Sequence, residues 1–176
     1  MNIVLVGFMG TGKSATGRVL ADRLSWPFFD TDEMIEREAG MSISDIFARD
    51  GESCFRDLET SAVRLLSMMD NIVISCGGGV VLRAENMDAL RTNGVIVCLT
   101  ASPETIFKRV SKTVNRPLLK VQDPLRRIKE LQEQRAPYYR DCHITIDTSS
   151  LSPKSVADHI LNNSLVVNKI IKGQTR

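Results

Sequence analysis

The sequence predicts a three-layer α/β fold in which helices cover both faces of a parallel sheet. Short segments rich in Val and Ile alternate with amphipathic segments at helical spacing along the chain. No internal repeat, low-complexity stretch or linker divides the 176 residues. Hydrophobic residues make up 43% and charged residues 25% of the chain, which is ordinary for a globular protein with one core.

Five segments are candidate strands, and all but the second are rich in the aliphatic residues expected of strands buried on both faces. In chain order they are Asn2–Val6, Phe28–Phe29, Ile72–Cys76, Val95–Leu99 and Ile144–Ile146.

The helices between these strands have readable boundaries. A helix is predicted from Ala15 to Leu24, a short one from Ser42 that ends at Gly51, and a longer one over Glu52–Met69. Three dipeptides place a capping side chain before a proline at the first helical position, namely Ser102-Pro103, Asp123-Pro124 and Ser152-Pro153.

Two segments lack such patterns. Residues 111–122 are polar and show no periodicity, and we interpret them as a mobile lid. Residues 163–176 form a partly apolar tail of unassigned structure. We therefore expect a single domain over residues 1–162, followed by the tail.

The first strand leads into Gly-x-x-x-x-Gly-Lys-Ser at residues 7–14, the pattern of a loop whose backbone N–H groups bind a polyphosphate. Gly10 and Gly12 allow unusual backbone angles and close approach of the phosphates. Lys13 supplies a cation for the β- and γ-phosphates, and the Ser14 hydroxyl is a Mg²⁺ ligand in such loops. The N-terminus of the following helix adds partial positive charge. The stretch predicts binding of a nucleoside triphosphate.

Two acidic residues, Asp30 and Asp32, follow the second strand at the sheet edge where ligands of open α/β folds bind. One carboxylate could enter the Mg²⁺ shell and the other could accept the proton of an attacking hydroxyl. The alternative is a solvated acidic turn that caps the next helix.

Further candidates lie after the acidic pair. Arg56 could bind a substrate carboxylate with Glu59 as its orienting partner. Taken alone, the two residues fit an ordinary surface pair at i, i+3 better. The three glycines at 77–79 leave bare backbone at a strand end, which suits a ligand, or they form a simple flexible turn. Arg116 and Arg135 are additional cations.

Composition limits the other possibilities. A net charge of +2 gives no strong footprint for nucleic acid or a membrane surface. The four cysteines are widely spaced, which disfavours a zinc site or a disulfide framework and favours reduced thiols. No run approaches a membrane span in length. We expect a cytoplasmic monomer without nucleic-acid or membrane partners.

Taken together, the motifs resemble the shikimate kinase family, which has the P-loop kinase fold of the nucleoside-monophosphate-kinase type. The order and spacing of the matching stretches cover about residues 1–160. These stretches are residues 7–14, Phe29-Asp30-Thr31-Asp32, Gly51-Glu52-x-x-Phe55-Arg56-x-x-Glu59, residues 77–79, Arg116-Pro117-Leu118-Leu119 and Arg135-x-Pro137-x-Tyr139.

The resemblance implies a five-stranded parallel sheet, a lid around Arg116 and a substrate-binding region at about residues 33–64. It also implies transfer of the ATP γ-phosphoryl group to the 3-hydroxyl of shikimate, a step in chorismate and aromatic amino acid biosynthesis.

The resemblance further implies a role for each matching residue. Lys13, Asp32 and Arg116 would be catalytic, and Ser14 and Asp30 would hold Mg²⁺. The nucleotide would contact Gly10, Thr11, Gly12, Lys13, Ser14, Thr16, Arg109, Arg116 and Pro153. Shikimate would contact Asp32, Arg56, Glu59, Gly77, Gly78, Gly79 and Arg135.

Three alternatives have distinct signatures. A related gluconate kinase would share the fold and phosphate loop but would not require the Arg56 and Arg135 pair. A GTPase switch needs Asn-Lys-x-Asp, whereas Asn168-Lys169-Ile170-Ile171 lacks the Asp. A catalytically silent relative would not need to keep Lys13, Asp32 and Arg116 together.

Overall fold

The computed structural model of the protein describes residues 1–111 and 122–174, with side chains described as far as residue 170. Most of the predicted lid, residues 112–121, including Arg116, lies outside the described residues.

Five parallel strands form one sheet, which confirms the predicted fold class. Their order across the sheet is β2-β3-β1-β4-β5. The strands are β1 (Asn2–Val6), β2 (Phe28–Asp30), β3 (Val73–Ser75), β4 (Gly94–Thr100) and β5 (Ile144–Asp147).

The central strand β1 has every residue buried, as its run of aliphatic side chains requires. Ile3 is in register with Val73 of β3 on one side and with Val95 of β4 on the other. The carboxyl ends of the strands therefore meet at one edge of the sheet, where the phosphate loop begins.

Eight helices surround the sheet within the described part of the chain. They are α1 (Lys13–Leu24), α2 (Thr31–Ala39), α3 (Ile43–Ser67), α4 (Ala84–Asn93), α5 (Pro103–Val110), α6 (Pro124–Tyr139), α7 (Pro153–Leu161) and α8 (Ser164–Gln174). The three predicted proline caps are present, because Ser102, Asp123 and Ser152 each accept a hydrogen bond from a backbone N–H in the first turn.

Alternate side chains of β1 enter different cores, as the two-residue period of a strand dictates. Val4 and Val6 belong to the core beneath α3 and α4. Ile3 and Leu5 belong to the core beneath α1 and α7. A third cluster packs Phe8 of the phosphate loop against Ile106, Val110, Ile128 and Leu131 of α5 and α6. This cluster ties the loop to the helix that carries Arg135.

Helix α3 is interrupted at Gly51, and the tail of the chain is helical. Gly51 has φ 83° and ψ 172°, so α3 contains the predicted break between a short and a long helical segment. The tail forms helix α8, which adds the fully buried Val166 to the core beneath α1 and α7. No helix in the described ranges is long and apolar enough to cross a membrane.

Candidate active site

The phosphate loop joins the end of β1 to the start of α1. Gly10 and Gly12 have φ of 75° and 93°, in the left-handed region where glycine is favoured. The Lys13 ammonium group donates to the carbonyl oxygens of Gly7 and Phe8 at 2.9 and 3.0 Å. Helix α1 begins at Lys13, directly after Gly12 of this loop, and the N-terminus of a helix favours a bound anion.

A cavity of about 200 Å³ opens beside this loop. It brings together residues of the phosphate loop, the acidic pair and the glycine triplet, which are far apart in the sequence. Its lining comprises Met9, Gly10, Gly12, Lys13, Ser14, Ala15, Asp30, Asp32, Ser75, Cys76 and Gly78.

Asp30 connects β2, the phosphate loop and α2. Its Oδ2 accepts a hydrogen bond from the Ser14 hydroxyl at 2.7 Å, and its Oδ1 accepts one from the backbone N–H of Asp32 at 3.0 Å. The carboxylate is therefore both the N-cap of α2 and a neighbour of the phosphate loop. Hydroxyl and carboxylate oxygens are ligands that Mg²⁺ prefers, and Mg²⁺ usually completes its shell with phosphate and water.

Asp32 lies in the first turn of α2 beside the first glycine of the triplet. The backbone N–H of Gly77 donates to the Thr31 hydroxyl at 2.8 Å, which joins α2 to the end of β3. A Cβ atom at Gly77 would overlap Asp32 Oδ1 and lie 2.9 Å from Glu59 Oε1. A glycine is therefore required where the two carboxyl groups converge.

The Arg56–Glu59 pair is buried, so the ordinary surface pair considered from the sequence is wrong. The Arg56 Nη1 atom donates to Glu59 Oε2 at 2.7 Å, and the two side chains are 12% and 1% exposed. The guanidinium also donates through Nε and Nη2 to Glu52 at 3.2 and 3.1 Å. Glu59 Oε1 is buried and has no hydrogen-bond partner among the described residues.

The electrostatics of Glu59 reflect this position. Burial raises the pKa of the Glu59 carboxyl to about 6, against the opposing attraction of Arg56, and the negative charge of Asp32 raises it further. The Arg56 guanidinium is held by two carboxylates, which raise its pKa against the cost of burial. The site therefore presents a fixed cation next to the glycine triplet.

The second predicted carboxylate ligand, Arg135, approaches from α6. Its Nη1 donates to the Gly78 carbonyl at 3.2 Å, and its guanidinium lies 5.7 Å from the centre of the Phe8 ring. The hydroxyl of Tyr139 donates to the same carbonyl at 2.7 Å. Arg56 and Arg135 thus reach the glycine triplet from two different helices.

Arg109 borders the phosphate loop on the other side. It donates to the carbonyls of Gly10 and Thr148 at 3.2 and 2.7 Å and to the Thr148 hydroxyl at 3.1 Å. That hydroxyl also lies 2.9 Å from the Thr11 carbonyl oxygen, to which it can donate. Pro153 begins α7, a few residues beyond Thr148.

Sequence reasoning missed Thr148, which is 2% exposed and connects Arg109 to the phosphate loop. It also missed Thr31 as the hydroxyl that receives the Gly77 N–H. A single threonine has no spacing pattern, and the sequence offers no signal for either.

Comparison with known proteins gives a consistent result. The shikimate kinase family model matches residues 9–164. Among curated relatives, shikimate kinase of Thermodesulfovibrio yellowstonii is 51% identical over 160 residues, covering 91% of this chain and 92% of that protein. The corresponding protein of Caldanaerobacter subterraneus is 50% identical over 160 residues, covering 91% and 94%.

Solved structures show the same relationship. Shikimate kinase from Acinetobacter baumannii, in complex with shikimate, has a TM-score of 0.89 at 37% identity and covers 96% of this chain and 93% of that one. A gluconokinase from Sinorhizobium meliloti has a TM-score of 0.62 at 16% identity, covering 99% of this chain and 97% of that one. At 16% identity, the similarity to the gluconokinase shows a shared fold and nothing more.

Proposed function

The chain belongs to the shikimate kinase family and is an ATP-dependent kinase, and we propose how its residues transfer the γ-phosphoryl group of ATP to the 3-hydroxyl of shikimate. The observation that carries the proposal is the buried Arg56–Glu59 pair, which lies beside the bare backbone of residues 77–79 and close to the phosphate loop. A fixed guanidinium next to exposed peptide groups suits a small ring with one carboxylate and several hydroxyls.

The phosphate loop binds ATP. Residues 10–14 and 16 contact the phosphates, and the Lys13 ammonium group moves onto the β- and γ-phosphates. Ser14 and Asp30, whose oxygens lie 2.7 Å apart, would hold Mg²⁺. Bound Mg²⁺ offsets the negative charge of the phosphates. Arg109 and Pro153 flank the base.

The substrate carboxylate binds between Arg56 and Arg135. Glu59 orients Arg56 through the 2.7 Å hydrogen bond, so the guanidinium is positioned before the substrate arrives. The backbone of residues 77–79 contacts the ring hydroxyls. Two cations for one carboxylate also offset the charge that ATP and shikimate bring together.

Asp32 lies beside the glycine triplet and the phosphate loop, so it can accept the proton of the 3-hydroxyl or orient that hydroxyl toward the γ-phosphate. We expect Asp32→Asn to lower kcat by about 10²–10⁴-fold and to leave ATP affinity nearly unchanged. The matched control is Glu33→Gln, because Glu33 is an exposed carboxylate in the same first turn. Turnover by the Asp32 variant at the rate of the control would remove Asp32 from the mechanism.

Arg116 is proposed to close from the lid onto the phosphates, an assignment that rests on the family motif alone. Closure would exclude water and prevent simple hydrolysis of ATP.

The overall reaction is tested by measuring ADP release from Mg-ATP with shikimate, gluconate or quinate, and without an acceptor. ADP release that requires shikimate supports the proposal. ADP release with gluconate instead would preserve the phosphate-loop assignment and discard the roles of Arg56 and Arg135. ATP binding without turnover on any acceptor would indicate a catalytically silent relative.

We also propose that the protein acts as a cytoplasmic monomer with no nucleic-acid or membrane partner. The four free cysteines and the small net charge of +2 support this assignment. Sedimentation at micromolar concentration, with and without substrates, tests the monomeric state.

A further inference from the structure

The carbonyl group of Gly78 receives two hydrogen bonds from one helix. Tyr139 donates its hydroxyl at 2.7 Å and Arg135 donates Nη1 at 3.2 Å. The two donors are four residues apart on α6, so they lie on the same face of the helix. The shorter of the two bonds belongs to a residue to which the proposed function gives no role.

Fixing this carbonyl also fixes a donor on the substrate side. The Gly78 carbonyl and the Gly79 N–H belong to one planar trans peptide, in which they point in opposite directions. A hydrogen bond that orients the carbonyl toward α6 therefore orients the Gly79 N–H away from α6. Arg56 is a direct neighbour of Gly79, since a Cβ atom at Gly79 would overlap its guanidinium.

The Arg135 guanidinium has two different hydrogen-bond partners in the structure and in the proposed reaction. In the structure it bonds the Gly78 carbonyl, whereas in the proposed reaction it binds the carboxylate of shikimate. If Arg135 turned toward substrate in a protein without the Tyr139 hydroxyl, the half-buried Gly78 carbonyl would lose both of these side-chain donors. An unsatisfied buried acceptor costs about 1–3 kcal/mol, which corresponds to roughly a 5- to 150-fold loss of affinity.

We propose that Tyr139 is a positioning residue for shikimate, whose hydroxyl keeps the Gly78 carbonyl bonded and the Gly79 N–H aimed at the ring when Arg135 turns to the substrate carboxylate. This inference rests on the proposed function. It assigns Tyr139 no contact with the reacting atoms and no role in nucleotide binding.

The surroundings of Tyr139 suit a permanent donor. Burial raises the pKa of the Tyr139 hydroxyl above its usual value, against the effect of nearby Arg135. The hydroxyl therefore stays protonated throughout the physiological range. The neighbouring residue provides a matched control, because Tyr138 is 49% exposed and lies outside the site.

The test compares Tyr139→Phe with Tyr138→Phe in steady-state kinetics and thermal unfolding. For Tyr139→Phe we expect KM for shikimate to rise about tenfold while KM for ATP stays within about twofold of wild type. The melting temperature of the protein without ligand should change little, because Arg135 still bonds the Gly78 carbonyl. The Tyr138 variant should match wild type in all three measurements.

A second arm uses the Arg135→Ala background, in which Tyr139 is the remaining side-chain donor that the structure places on this carbonyl. There, Tyr139→Phe should lower the melting temperature by roughly 2–4 °C more than it does in the wild-type background. This difference measures the coupling of the two donors through their shared carbonyl, and the selective rise in KM for shikimate is the readout that a purely structural tyrosine would not give.

Four results would overturn the inference. They are an unchanged KM for shikimate, an equal rise in both KM values, an equal thermal effect in both backgrounds, or a Tyr139→Phe protein too unstable to purify. The last counts because the proposal assigns the ligand-free carbonyl to Arg135. Failure of the wild-type protein to phosphorylate shikimate would refute the proposed function instead, and would be seen before any variant is made.

Discussion

Replacing Glu59 by glutamine should change how the stability of the protein depends on pH. Glu59 is 1% exposed, and its side chain accepts a hydrogen bond from Arg56 at 2.7 Å. Burial raises its pKa to about 6 in the folded protein from an ordinary value of 4.5. Glutamine keeps an oxygen acceptor for Arg56 and removes the titration.

The sign follows from proton binding. Below pH 4.5 the carboxyl is protonated in both states. Between pH 4.5 and about 6 the folded protein keeps a proton that the unfolded chain has lost, so the free energy of unfolding falls as pH rises. Above about pH 6 the free energy of unfolding falls no further through Glu59, because the carboxyl is ionised in both states. At 1.36 kcal/mol per pKa unit, the shift corresponds to about 2 kcal/mol.

Urea denaturation at pH 4.5 and pH 7.0 measures this quantity as the difference between wild type and Glu59→Gln. We expect the stability of wild type relative to the variant to decrease by about 2 kcal/mol over this interval. The difference is needed because His143, whose pKa is lowered by burial, titrates in an overlapping range with the opposite sign.

The control for this experiment is Glu52→Gln, since Glu52 bonds the same guanidinium but is 61% exposed. Its stability relative to wild type should stay within about 0.5 kcal/mol at both pH values. If wild type instead gained stability relative to Glu59→Gln as pH rose, attraction by Arg56 would outweigh burial, and our account of this pair would be wrong.

Two other substitutions test the geometry of the site. Gly79→Ala should displace Arg56 and raise KM for shikimate more than tenfold, because the added Cβ atom overlaps the guanidinium. Gly78→Ala should keep wild-type stability in urea, because the atom nearest to its added Cβ lies 3.5 Å away. Equal destabilisation by both alanines would contradict this. Thr148→Val should raise the Kd for ATP about 5- to 20-fold by calorimetry, because Arg109 loses one of its links to the phosphate loop, and Thr148→Ser should restore it. An effect on shikimate binding alone would refute this role.

Much of the fold follows from local patterns. The buried strands are continuous aliphatic runs, and the proline caps and Gly51 have meanings that depend only on nearby residues. Helix α2 is not among the predicted helices, because Asp30 is interpreted mainly as a ligand and its capping function is only the alternative. Helix α8 has a partly apolar pattern whose burial depends on packing against α1 and α7.

Some parts of the candidate site are also visible as local sequence patterns, whereas others depend on contacts between distant residues. The phosphate loop and the glycine triplet are contiguous, so the sequence displays them directly. The i, i+3 spacing suggests the Arg56–Glu59 pair, but its burial depends on how α3 packs against α2 and α4. Thr148 and Tyr139 act through single hydroxyls on carbonyls that are distant in sequence. No local pattern encodes such contacts.

The order of strands in the sheet also has a consequence for how the chain folds. Strand β1 is central, yet its partners are far along the chain, with Ile3 beside Val73 and Val95. During synthesis, the strand that carries the phosphate loop leaves the ribosome before both of its neighbours in the sheet. Such long-range pairing slows folding and leaves an apolar edge exposed to aggregation in the meantime. The nucleotide site is therefore completed late, and ATP stabilises the finished protein without guiding its earliest steps.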